Sequence, residues 1–372
     1  SPSRDRSPNR DRSRSPSRDR SPNRDRSRSP SRSPSRSPTP KQEPQLSPSP
    51  AAGPYLPTAH ASTAGLQALQ SLLGAPDRRL AVIGASKNAG KTTVLNALTQ
   101  LAGNAGQVAG LCSIGLDGEA VDAWLDFPKP PVLVERGTLV VTAAPLVQAL
   151  PGLLQWVADV PGVVSALGPA VVARARTQGG VELCGIPHRA ALVAAQQALL
   201  LAGANRLLVD GAYHRQAAAH PAVADAVLVA VGAVLADTPQ LAAERALPTL
   251  LALCTPAFAT VQAHGQIHLL PGAVTDARLE ALALQPGDVV QALDPSRILC
   301  SLAGHLRLRE KRVQLAVRNP VPLLAVTTNP RRPGGQDDDP QELQDAVGMA
   351  LIRVGLHLPL LDVVGGNQRL EG

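Results

Sequence analysis

Apolar residues recur along this chain in two rhythms. Apolar runs at residues 80–83, 108–114 (broken by Ser113), 206–209 (after its leading Arg), 226–231 and 322–326 read as strands buried on both faces. Between them, apolar positions return every three or four residues. Val94, Leu95, Leu98 and Leu101 predict a helix that Gly103 can end, residues 189–201 predict another, and Leu343, Val347 and Leu351 a last one. Leu66, Leu69, Leu72 and Leu73 suggest a short amphipathic helix closed by Gly74 and Pro76. Residues 131–134 and 138–142 read as a strand pair, 170–173 and 180–184 as strands around a polar turn, and 361–364 as an edge strand. Strands alternating with helices predict an α/β fold with a doubly wound, mostly parallel sheet. From 248 to 317 the pattern changes to short strands with Pro and Gly turns, such as Gln285-Pro-Gly-Asp288. This region is expected to be a smaller, β-rich inserted lobe.

Residues 1–62 have a different character. The first 28 residues are a tandem repeat built from Ser, Pro, Arg, Asp and Asn, and a Pro-rich stretch continues to 62. With almost nothing apolar to bury, this tail is expected to be disordered, leaving 63–372 as the globular part. The tail resembles Arg-Ser arms of RNA-processing proteins. Nucleic acid is therefore a weak expectation through the tail only, and a low-complexity extension or misassigned start is the competing reading. The formal net charge of +7 also belongs to the tail. Residues 1–40 carry 12 Arg and 4 Asp, so the remainder is close to neutral and gives no basis for nucleic-acid binding. Cys112, Cys184, Cys254 and Cys300 are far apart and form no C-x-x-C pair. They read as buried thiols in a reducing, cytoplasmic compartment. No uninterrupted apolar segment is long enough to suggest a membrane span, and no signal peptide is expected.

The chemistry concentrates where the first buried run ends. Gly84, Ala85, Ser86, Lys87, Asn88, Ala89, Gly90, Lys91, Thr92 and Thr93 fit the phosphate-binding pattern G-x-x-x-x-G-K-[ST], with Ala85 at the first motif position. Strand, Gly-containing loop and helix follow in the order that the motif needs. Gly residues let backbone N–H groups turn toward phosphate oxygens, and the helix N-terminus favours negative charge. Lys91 is expected to reach the β- and γ-phosphates, and Thr92 to ligate Mg²⁺. An accidental Gly-Lys turn is the competing reading. The chain has only five Lys, however, and two of them fall in this loop.

A bound Mg²⁺ also needs a carboxylate at the end of a buried strand. Asp210 follows Leu207, Leu208 and Val209 and is the candidate, with an Asp-Gly turn as the alternative. Asp117, near Glu119, is a candidate for positioning water or acting as a base, or again an Asp-Gly turn. Lys87 is a candidate second cation over the γ-phosphate, or an exposed loop lysine. Asn329 is a candidate contact to a base edge, or an Asn-Pro turn. The chain has no Asn-Lys-x-Asp guanine-reading sequence, which favours ATP. His264 and His268 are four apart, but Gly265 and the strand-like 267–270 argue against a helical metal pair. Trp124 and Trp156 read as core or interface residues.

The loop Lys-Asn-Ala-Gly-Lys-Thr-Thr resembles the branch of P-loop proteins that includes dethiobiotin synthetase and the cobyric-acid-type amidoligases. Further segments are similar to the reactivase subunit of the lysine 5,6-aminomutase system. They are Ser113-Ile-Gly-Leu-Asp-Gly-Glu119, Lys129-Pro130, Leu208-Val-Asp-Gly-Ala212 with Arg215, Val231-Gly-Ala233, and Thr328-Asn-Pro330 with Asp362-Val363-Val364. The resemblance covers roughly residues 78–364. It implies a Mg²⁺-dependent ATPase that reactivates a cobalamin-dependent mutase, with the mutase and a MutS-like ATPase as partners and a homodimer as the working form. An ATP-dependent ligase and a nucleotide-binding regulatory module without turnover are the alternatives.

Overall fold

The apolar run at 80–83 forms the middle of β1 (Arg79–Gly84), which lies inside a large sheet. The computed structural model describes residues 63–73, 79–115, 131–211, 216–332 and 337–363. Before β1 lies α1 (Thr63–Leu73), and after it come α2 (Lys91–Asn104), β2 (Ala109–Ile114), β3 (Val132–Val134), β4 (Leu139–Ala143) and α3 (Ala144–Ala149). The chain continues through β5 (Leu154–Ser165), β6 (Gly168–Ala175), β7 (Gly179–Val181), β8 (Gly185–Ile186), α4 (Arg189–Leu201), β9 (Arg206–Asp210) and β10 (Ala226–Gly232). Next are α5 (Pro239–Leu253), β11 (Ile267–Leu270), α6 (Asp276–Glu280), β12 (Val289–Ala292), α7 (Leu302–Glu310) and β13 (Gln314–Val317). The described chain closes with β14 (Leu323–Asn329), α8 (Pro340–Arg353) and β15 (Leu360–Asp362).

The main sheet has the order β15-β14-β10-β1-β9-β2-β4-β6-β5, and β8 pairs with β2 beyond the β4 contact. Every pairing from β15 to β4 is parallel, while β4–β6 and β6–β5 are antiparallel. The result is an α/β fold with a mixed, mostly parallel sheet.

Strand alternation explains why the apolar runs of β1, β9 and β10 are unbroken. Ala81, Ile83, Leu207, Val209, Val227 and Val229 pack with residues of α4, α5 and α8 on one face. Leu80, Val82, Leu208, Ala226 and Leu228 pack with α1 and α2 on the other. Both faces are covered, so neither parity of position can be polar. The buried stripe of α2 is Val94, Leu95, Leu98 and Leu101, as its periodicity predicts. Each such side chain stabilises the fold by about 1.5–3 kcal/mol relative to exposure.

Four details differ from the sequence reading. Gly103 lies inside the last turn of α2, and Gly106, at φ +70°, takes the left-handed position beyond it. The segments 131–134 and 138–142 are both strands but do not pair. β3 joins β7 in a separate antiparallel ribbon, while β4 enters the main sheet. The other pair, 170–173 and 180–184, separates in the same way, and β6 lies between β4 and the unforeseen β5. Finally, α5 runs through Pro248, so the lobe starts after Leu253.

The lobe is α/β rather than the β-rich unit expected. β11, β12 and β13 are parallel and in sequential order, with α6 and α7 on the two connections. Its own core includes Leu270, Val274, Leu279, Val290, Ile298, Leu308 and Val317. The expected Gln285-Pro-Gly-Asp288 turn is present: Gln285 O accepts from Asp288 N at 3.1 Å, and Gly287 has φ +93°.

Asp288 then ties the lobe together. Its carboxylate accepts from Gln285 N at 2.9 Å, His268 Nε2 at 3.0 Å and Gln266 N at 2.7 Å. These bonds hold its pKa below the ordinary carboxylate value, the Gln285 N–H first, then His268 and Gln266. A depressed carboxylate contributes stability that is present above its unfolded pKa of about 3.9 and is lost as pH falls through the lower folded value. Thermal unfolding followed from about pH 2 to about pH 7 should therefore show Asp288→Asn less stable at neutral pH and less pH-sensitive below about pH 4. An unchanged acid slope in the variant would refute this assignment.

The four cysteines are free; Cys112, Cys184 and Cys300 are buried, and Cys254 is half-buried. Burial pushes the thiol pKa values up, to about 11 for Cys254 and about 12 for Cys300, where the Asp276 charge adds to the effect. Trp156 is substantially exposed on β5 and donates through Nε1 to Asp159 Oδ1 at 3.1 Å. Among the described residues no helix is long and apolar enough to cross a membrane.

Candidate functional site

The sheet order reverses direction around β1. From β1 the chain passes over β9 to β2, and from β9 it steps across β1 to β10. Ligands of such sheets bind beyond the strand carboxyl ends at this reversal, and residues 84–93 lie there.

The loop leaves the sheet at Ala85, whose N–H still donates to Ala230 O at 2.8 Å. Ser86 Oγ donates to Lys87 O at 2.9 Å, Asn88 has φ +56°, and Gly90 has φ +100°. Helix α2 starts at Lys91 with no side-chain cap on its first turn. An uncapped first turn presents backbone N–H groups to an anion. Ala89 is buried, Asn88 is exposed, and Ser86, Lys87, Gly90, Lys91, Thr92 and Thr93 are half-buried.

Two glycines are required by close approach. A Cβ on Gly84 would lie 3.0 Å from Cγ and Cδ of Lys91 and 2.7 Å from Ser86 O. The stem of Lys91 therefore crosses the end of β1 instead of extending into solvent. A Cβ on Gly232, at the end of β10, would lie 2.7 Å from Ala89 Cα. The loop thus rests directly on the neighbouring strand.

Asp210 is the last residue of β9 and is buried at 7% exposure. It stands in register with Val82 of β1 and Ser113 of β2. Its Oδ2 accepts from Ser113 Oγ at 3.4 Å. Gly211 N donates to Val82 O at 2.9 Å, so the Asp-Gly pair continues the ladder. Cys112 borders this carboxylate. Burial raises its thiol pKa strongly, and Cys184 and Asp210 raise it further, so the thiol stays neutral.

Asn329 ends β14, two strands from β1, and is buried against the loop. Its Nδ2 donates to Asn88 O at 3.4 Å, and its Oδ1 accepts from Arg331 N at 3.2 Å. The structure therefore brings together the loop, Asp210 and Asn329. Asp117, Glu119, Lys129, Ala212, Arg215, Val364 and Trp124 lie outside the described residues. His268 pairs with Asp288 in the lobe, and among the described residues no cluster of three His, Cys, Asp or Glu side chains is placed to hold a metal. Ser113 and the Ala230 carbonyl belong to the site by position. Sequence patterning marks both only as ordinary strand residues.

No protein-family model, characterised protein or solved structure matches the chain.

Proposed function

We propose that the chain is a Mg²⁺-dependent nucleoside-triphosphate-binding protein, with ATP as its nucleotide, that hydrolyses the γ-phosphate bond. The observation that carries this reading is the stem of Lys91 folded across Gly84 at the reversal point of the sheet. That placement keeps the Lys91 side chain beside the loop of residues 84–90, at the first turn of α2, whose N–H groups favour an anion. These groups bind and orient a triphosphate and offset charge on its terminal oxygens. Thr92 hydroxyl and Asp210 carboxylate are hard oxygen donors of the type that Mg²⁺ takes. Bound there, the ion would supply neutralisation of phosphate charge.

The cellular role we propose is reactivation of a cobalamin-dependent lysine 5,6-aminomutase, resting on the segment resemblances described above. Phosphate release from ATP by the full chain, alone and with a mutase inactivated by turnover, tests both levels. Release that appears with the mutase and recovers its activity is the expected result. Equal release with and without it would overturn the accessory role. Failure to bind or cleave ATP in either case would overturn the nucleotide reading.

A further inference from the structure

We infer that Asn329 is a positioning residue that props the apex of the 84–93 loop, and that it does not read a base; the ligand half of this inference rests on the nucleotide reading above.

Both ends of the Asn329 amide are engaged with backbone. Nδ2 donates to Asn88 O on the loop, and Oδ1 accepts from Arg331 N just beyond β14. One N–H and one lone pair of the amide are thereby committed to the backbone. The side chain also fills the space that a residue with a Cβ would need at position 90. A Cβ on Gly90 would lie 2.9 Å from Asn329 Cβ and 3.0 Å from Nδ2. The left-handed conformations of Asn88 and Gly90 flank this contact, so the strut meets the loop where its backbone turns most sharply.

The other end of the strut is anchored as well. Asp338 N donates to Pro330 O at 2.9 Å, and Arg332 grips Asp338 through Nε at 2.6 Å and Nη2 at 2.8 Å. Asn329 thus joins the loop to the end of a strand that is remote in sequence and is followed by bonds from Pro330 and Arg332 to Asp338. The amide donates to one backbone group and accepts from the other at the same time.

The test has two readouts on the full chain. Amide hydrogen exchange of the ligand-free protein should show faster exchange at residues 86–92 in Asn329→Ala and Asn329→Asp, with β1 unchanged. Asn329→Asp keeps the size and the acceptor for Arg331 N but loses the donor, so it serves if the Ala variant folds poorly. In Mg²⁺, Kd for ATP, GTP and inorganic tripolyphosphate should rise alike, by about tenfold, as expected for loss of one bond and its packing. Unchanged loop exchange would overturn the inference. So would an altered ATP-to-GTP preference with tripolyphosphate binding intact, which is the signature of a base contact. If loop exchange rises but the wild-type chain binds none of the three ligands, the strut stands and the nucleotide reading falls.

Discussion

Lys91→Ala is expected to lower Mg²⁺-dependent phosphate release from ATP by at least about 100-fold while leaving the fold intact. Lys91 is the first residue of α2 and half-buried. Ala is a good helix former at such a position, so the helix should start where it does now. The variant loses the side chain whose stem packs against Gly84 at the strand end, and with it the ammonium it carries. Lys87→Ala is the informative companion. Lys87 sits within the turn, before α2 begins, so its loss should cost much less. Circular dichroism and thermal unfolding would verify the fold, and steady-state phosphate release would give the rates. A Lys91→Ala rate within a few-fold of wild type would place the chemistry elsewhere.

The second large effect is expected from one added methyl group on a different strand. Gly232→Ala puts a carbon 2.7 Å from Ala89 Cα, which is backbone and cannot rotate away. Gly232 has an ordinary extended backbone, so the cost comes from collision and not from strained φ. Such overpacking destabilises by about 1–3 kcal/mol, and the relief available is to push the loop off β10. Thermal unfolding should report the first and ATP binding, weakened more than tenfold, the second. Gly152→Ala, where an added Cβ meets nothing within 4 Å, is the control that should change neither. Unaltered ATP affinity in Gly232→Ala would show that the loop does not depend on this contact.

These two residues also mark how far the sequence could be read. The loop residues and Asp210 were legible because each ends an apolar run, and the run is apolar because helices cover both faces of β1 and β9. The helices α2, α4 and α8 were legible for the complementary reason, a single buried stripe. The edge of the sheet was not. β5 contains Pro161 and Gly162 and turns much of its length to solvent, so it shows no simple period and carries register shifts against β6. α6 and α7 are short and largely polar, and they escaped notice inside a region rich in turns. Partner choice was equally hidden. Nothing local in residues 131–142 says that β3 joins β7 while β4 joins β2. The contacts of Gly232 with Ala89 and of Asn329 with Gly90 are also long-range in sequence, so only the fold reveals them.

The lobe has a consequence for how the chain folds. β10 and β14 are adjacent and parallel, yet residues 233–322 separate them in sequence. Closing so long a flexible segment would ordinarily slow their pairing. The neck of the lobe shortens it: Val317 N donates to Pro256 O at 2.9 Å, and Ala257 bridges to Val317. Once β11, β12 and β13 have assembled, the two ends of the insertion are already together. β14 then approaches β10 as though α5 and a brief connector were all that lay between them. The lobe should accordingly form early, with the β14 edge of the main sheet closing after it.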